Sequence, residues 1–343
     1  VPQTLWLSYN DDSACPYYRF LLPARYCAAA FAPLDCEIAA SMGVNSDADI
    51  IGLHGLPSYN SLMTLARFKR NGGKVVWSVD DDWLTIPEWN PAYPTDEGRD
   101  SYWLSKELAD FILVSTPAIA DSFADVSHKV LTAPNLLDLD VFPPMPDRIT
   151  EVRLPVQVCW VGGRCHKGDV ELMPAVIDRC LRKLGKDKVS FFWMGMHPPG
   201  HLIRDWLHRG FIYQPSLPFS EYLKRIGTLA ADIYLCPLAD IPFNYSKSNL
   251  RILESWALMA APVASPVGEY NCVAHNKDGK FADTVDAWVA AVTRLATDHE
   301  YRIDIAAAGR RRVESEFSWR RPDCHRPWLD AFARIFGVSA PVV

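Results

Sequence analysis

The chain has 343 residues, 49% hydrophobic and 22% charged, a length that favours two domains and a composition that excludes collagen-like, low-complexity and disulfide-scaffold classes. Its net charge of −6 is unevenly placed: residues 1–150 hold 10 Lys and Arg against 20 Asp and Glu, the remainder 25 against 21, so the second half is expected to meet an anionic ligand. No apolar run approaches the roughly 20 residues of a transmembrane segment, no signal peptide is recognisable, and the nine cysteines are scattered, so a reduced, cytoplasmic chain is expected.

In chain order, TLWLSY (4–9) reads as a strand and YYRFLLPARYCAAAF (17–31) as a helix. ADIIGL (48–53) is a strand, SLMTLARFKRNG (61–72) a helix with a glycine stop, and KVVWSV (74–79), FILVS (111–115) and KVLTAP (129–134) are strands. Val- and Ile-rich strands alternating with helices imply parallel sheets covered on both faces. Asp80, Asp81 and Asp82 follow the 74–79 strand, at the end that faces the ligand crevice of an open α/β sheet. Three adjacent carboxylates do not all ionise cheaply when buried. The cluster reads either as a turn or as an acceptor-side group that orients a hydroxyl or binds a cation. Arg19, beside Tyr17 and Tyr18 at the first loop–helix junction, reads as a cation on the same acceptor side.

PNLLDLDVFPPMPDRITEVRLP (134–155) has five prolines and no period, and reads as a linker. The alternation then restarts with VQVCWVGG (156–163), a helix over 170–184, KVSFFWMG (188–195), DIYLCPL (232–238) and APVASPV (261–267). The expected fold is α/β: two Rossmann-like, doubly wound parallel-sheet domains, 1–150 and 151–320, facing a central cleft. Residues 321–343 are expected to form a C-terminal helix packing back on the first domain.

In VQVCWVGGRCHKGDVELMPAVIDRCLRKL a buried strand meets Gly162 and Gly163, a loop with Arg164, His166 and Lys167, and a helix that Asp169 would cap. The glycines let backbone approach a ligand and the helix start favours negative charge, so a phosphate-binding turn is expected. Its spacing matches neither GxGxxG nor GxxxxGK[ST].

FNYSKSNLRILESWALMAAPVAS (243–265) runs from a basic, serine-rich turn into a helix over 249–260, with Ser246 or Ser248 as cap and Asn249 in the first turn. At ~100° per residue, Lys247 and Glu254 project within about 20° of each other. A cation for phosphate and a carboxylate that accepts two hydroxyls suit a nucleoside diphosphate and its ribose diol. The alternative is a surface ion pair.

PLADIPFNYSKSNLRILESWALMAAPVASPVGEY resembles the donor-site segment of GT-B-fold glycosyltransferases, the retaining group that includes family four. FILVSTPAIADSF and KVLTAPNLLDLDVFPP resemble the end of that group's first domain, and WVGGRCHKGDVELMPAVI its glycine-rich diphosphate loop. DTVDAWVAAVTRLATDHEYRIDIAAAGRRRVESEFSW resembles its C-terminal helices. The resemblance implies Glu254 on the donor ribose, Lys247 and the Gly162–Lys167 loop on the diphosphate, and His166 in place of one of the usual cations. Ser246 stands where the family often has a glutamate that contacts the transferred sugar. Implied overall is retaining transfer from a UDP-, GDP- or ADP-linked sugar to a hydroxyl of a glycan or lipid-linked saccharide. Lys247, His166 and Asp81 would stand at the reacting centre, with no tightly bound cofactor and no metal assigned. Three other readings stay open: transfer to hydroxymethylated bases in DNA, a nucleotide-sugar epimerase, and a non-catalytic nucleotide-sugar binder.

Overall fold

The structure, a computed structural model, describes residues 3–45, 47–143, 153–198 and 205–342. The middle of the expected linker, 144–152, lies outside them. Two six-stranded, wholly parallel sheets form the frame. The first contains β1 (Gln3–Tyr9), β2 (Cys36–Met42), β3 (Ile50–His54), β4 (Lys74–Val79), β5 (Phe111–Val114) and β6 (Val130–Thr132), in the order β2-β1-β3-β4-β5-β6. The second contains β7 (Val156–Gly162), β8 (Val189–Gly195), β9 (Phe211–Pro215), β10 (Ile233–Cys236), β11 (Ala261–Ala264) and β12 (Lys280–Phe281), in the order β12-β11-β10-β7-β8-β9. Each order reverses once, between β1 and β3 and between β7 and β10. Ligands of open α/β sheets bind beyond the strand C-termini at such a reversal.

Burial explains which strands were legible. β4 and β8 are buried along almost their whole length, as strands covered by helices on both faces must be. The edge strands β2 and β9 are buried mainly at Cys36, Ile38 and Phe211, and lack the continuous apolar run that marks a central strand. Neither was anticipated from sequence, for that reason. The helix expected over 170–184 starts later, at Met173, because residues 164–166 wind as a tight 3-10 turn first. Asp169 therefore caps no helix; it accepts hydrogen bonds from the backbone of Ala239 (3.0 Å) and from Asn244 Nδ2 (2.6 Å), tying the glycine loop to the end of β10.

The C-terminal helix Arg326–Phe336 follows the second sheet in sequence but packs on the first. Phe332 and Phe336 pack against Phe31 (ring centroids 6.3 and 5.4 Å), and Trp328 Nε1 donates to the carbonyl of Pro134 (2.9 Å). Among the described residues, no helix is long and apolar enough to cross a membrane.

A candidate ligand site in the cleft

A cavity of about 450 Å³ lies between the C-terminal ends of the two sheets, at the β7/β10 reversal of the second. Its floor is the glycine turn. Gly195 has φ +112°, and a Cβ there would overlap the Gly162 carbonyl, so β7 and β8 end this close together only because residue 195 is glycine. A Cβ on Gly162 would run into the Trp160 ring and lie 2.9 Å from Arg251 Nη2; on Gly163 it would meet only Cys165 Sγ, at 3.9 Å. Gly162 thus packs directly against the Trp160 ring and a guanidinium.

That guanidinium is the feature sequence reasoning passed over. Arg251 lines the cavity, and among the described residues no carboxylate lies within ion-pair distance of it. Burial pulls its pKa down, but Tyr270, Tyr234 and Glu254 more than offset this and hold it above the usual arginine value. Its signal was available: Arg251 stands three residues before Glu254, which puts the two on one face of the helix.

The helix Leu250–Ala257 carries Glu254, which is 6% exposed. Tyr222 (3.0 Å) and Tyr18 (3.4 Å) both donate to its Oε1, and among the described residues no hydrogen bond reaches Oε2. Burial raises its pKa, opposed by Arg251 and the two tyrosine hydroxyls. Lys247 precedes the helix rather than lying in its first turn, and the alternative of an ion pair with Glu254 is not what forms. Its Nζ donates instead to Asp81 Oδ1 (3.0 Å) at the end of β4 and sits 4.2 Å over the Phe243 ring. The ion pair spans the cleft. Burial lowers the lysine pKa, yet Asp81 outweighs it and the shift is upward; Asp81 is itself pushed up by burial, against Lys247.

His166 lines the cavity with Nδ1 2.7 Å from Asp169 Oδ2. Burial first, then Arg251 and Lys247, lower its pKa to about 3, so the contact joins a neutral imidazole to a carboxylate. Nδ1 then carries the proton, and Nε2 is an acceptor.

Of the residues selected from sequence, Gly162, Gly163, His166, Lys247, Ser248, Glu254, Asp80 and Asp81 line this cavity. The others do not. Arg164 and Lys167 are exposed and point away from it. Ser246 turns inward, donating to the Phe243 carbonyl (2.8 Å), and Ser248 accepts from Asn135 (3.1 Å), so neither serine caps the helix. Asn249 occupies the cap position and its amide donates to Cys272 Sγ (3.6 Å). Asp82 accepts from the backbone of Leu84 (3.3 Å) and from Ser122 (3.2 Å), the turn role. Arg19 is wholly buried, donates to the Ala133 carbonyl (2.5 Å) and Asn135 (3.2 Å), and stacks 4.6 Å from the Trp328 ring; it is a packing cation and reaches no acceptor.

The chain matches no family model and no curated protein in sequence. It is similar in structure to sucrose-phosphate synthase of Thermosynechococcus elongatus (TM-score 0.68, 13% identity, 98% of this chain and 100% of that one). It is also similar to Anabaena Alr3699/HepE, solved in complex with UDP and glucose (TM-score 0.66, 11% identity, 98% and 100%). A third similarity is to TarM (TM-score 0.62, 11% identity), of which this chain spans 57%. The fold is GT-B: two Rossmann-like domains around a cleft.

Proposed function

We propose that the protein transfers a sugar, with retention, from a nucleotide-diphosphate sugar to a hydroxyl of a glycan or lipid-linked saccharide. The observation that carries this reading is Arg251: a charged guanidinium with no carboxylate at ion-pair distance among the described residues, packed against Gly162 one helical turn from the Glu254 carboxylate, in a cavity at the reversal of the second sheet. A diphosphate supplies the missing anion. Its ribose diol meets Glu254 Oε2, while Tyr18 and Tyr222 hold the other oxygen in place. Lys247, anchored by Asp81, provides a second cation, and the charge developing on the leaving diphosphate is where both act most strongly. Neutral His166 offers Nε2 to a sugar hydroxyl. The neighbours' complexes with UDP and UDP-glucose make UDP the first donor to test.

The test is a thermal-shift screen against UDP-, GDP- and ADP-sugars, followed by transfer assays on the donor that binds. A donor at 100 times its dissociation constant adds about 2.7 kcal/mol of stability. Wild type should respond to one nucleotide and lose the response in Glu254→Ala and Lys247→Ala. The anomeric signal of the product in proton NMR should match that of the donor. Turnover without an acceptor would identify an epimerase instead, and binding without turnover a nucleotide-sugar binder.

A further inference from the structure

The acceptor wall of the cleft holds a second constellation that transfer from a nucleotide sugar does not use. β1, β3 and β4 are adjacent in the first sheet, and each delivers one metal-ligating side chain at its C-terminal end. Cys15 lies in the short helical segment Ala14–Pro16 that follows the loop after β1, His54 ends β3, and Asp80 follows β4; Cys15 Sγ, a nitrogen of His54 and a carboxylate oxygen of Asp80 all lie within 4.8 Å of one another. His54 Nε2 stands 3.3 Å from Asp80 Oδ1. Two ligands bonded to one tetrahedral zinc at about 2.0–2.1 Å are separated by about 3.3 Å, so this edge of the triangle already has its bound length. The His54 ring is held edge-on against Phe20 (centroids 6.0 Å, 84°), which fixes the direction of Nε2. Cys15 and Asp80 line the central cavity, whereas His54 lines a neighbouring cavity of about 220 Å³ at the β1/β3 reversal, so the triad sits in the wall between the two.

We infer that Cys15, His54 and Asp80 form a binding site for one divalent transition-metal ion of the zinc class. The donor set is one sulfur, one nitrogen and one oxygen, which suits zinc or cobalt and does not suit magnesium or calcium. Three protein ligands leave the fourth tetrahedral position to water, the pattern of zinc sites that keep an open position. Binding converts the thiol to a thiolate and releases its proton to solvent. The neighbouring Asp81 is already matched by Lys247 and is not needed as a ligand. The site takes up, for Asp80, the cation-binding reading of the 80–82 cluster, and it is independent of the donor, since none of the three residues is assigned to the nucleotide.

The experiment uses the full chain, stripped with chelator and titrated with cobalt(II) alone, without nucleotide sugar. The expected result is one cobalt per chain, with the intense visible absorption of a tetrahedral ion and a near-ultraviolet sulfur-to-cobalt charge-transfer band. Cys15→Ser should abolish the band and His54→Gln should weaken binding at least tenfold, while Cys165→Ser, on the same cavity but outside the triad, should leave both unchanged. A readout on unmodified protein covers the case in which the variants fail to fold: zinc should slow alkylation of Cys15, followed by peptide mass spectrometry, and leave the other thiols as they were. Sub-stoichiometric uptake, a band that survives Cys15→Ser, or alkylation of Cys15 at the same rate with and without zinc would each overturn the site. Failure of the donor screen would leave these outcomes untouched.

Discussion

Glu254 and Arg251 can each be replaced with little expected loss of stability. Glu254→Gln keeps an oxygen for Tyr18 and Tyr222, so its stability should stay within about 1 kcal/mol of wild type by urea unfolding. Arg251→Met removes a cation without a carboxylate partner and should leave stability equal or raised. Each should nevertheless weaken donor binding by roughly 1.5–3 kcal/mol, about 10- to 150-fold in dissociation constant by calorimetry, because each removes a hydrogen bond to a charged group. Destabilised variants with unchanged affinity would identify both as framework residues. His166 gives a pH signature. Its folded pKa, about 3, lies below the ordinary value of 6.5, so the unfolded chain binds more protons between those values. The stability that this residue contributes is complete above pH 6.5 and lost as pH falls through about 3. His166→Gln should flatten that portion of the stability–pH curve, measured by chemical unfolding at successive pH values. Lys247, Glu254 and His166 were selected from sequence because each sits in a stretch with a local pattern. Arg251 was passed over because an arginine at helical spacing looks the same whether it faces solvent or a cavity.

At the scale of elements, the glycine turn sets three graded outcomes. Gly195→Ala places a side chain at φ +112° and into the Gly162 carbonyl, and should cost at least about 2 kcal/mol, read as a lowered urea midpoint. Gly162→Ala should displace the Arg251 guanidinium and the Trp160 ring, so donor affinity falls along with stability. Gly163→Ala meets ordinary contact only and should change neither. If all three behave alike, close packing is not what the turn is for. The glycine pair itself was legible, as was the basic loop after it. Which of the loop's charges face the ligand was not: the tight turn at 164–166 sends Arg164 and Lys167 outward and His166 inward, an outcome of three residues of backbone winding that composition does not encode.

For the whole molecule, the cleft is closed by contacts between residues far apart in sequence. Lys247 meets Asp81, Glu254 meets Tyr18, and Thr116 Oγ1 donates to the Ser246 carbonyl (3.0 Å). The helix Arg326–Phe336 adds a second tie, with Trp328 wedged between the Pro134 carbonyl and the Arg19 guanidinium. Trp328→Ala should therefore cost about 3–5 kcal/mol, and by leaving Arg19 buried without its ring it should weaken the first sheet's attachment to the C-terminal helix. Limited proteolysis should then release a C-terminal fragment that wild type retains; equal resistance in the two proteins would show the helix to be held elsewhere.

The sequence by itself determined the alternation of strand and helix and the central strands, because hydrophobic period and glycine placement act over a few residues, and the resemblance to GT-B-fold glycosyltransferases implied the architecture. The edge strands β2 and β9 escaped it, since half-exposed strands carry no continuous apolar run, whereas the edge strand β6 was read from KVLTAP. The tertiary structure alone decided which charges share the cavity. Lys247 and Asp81 are 166 positions apart, Tyr18 and Glu254 are 236, and the Cys15–His54–Asp80 triangle exists only because three strands end side by side. A side chain's direction depends on backbone winding and on neighbours brought from elsewhere in the chain, and that information lies in the packing.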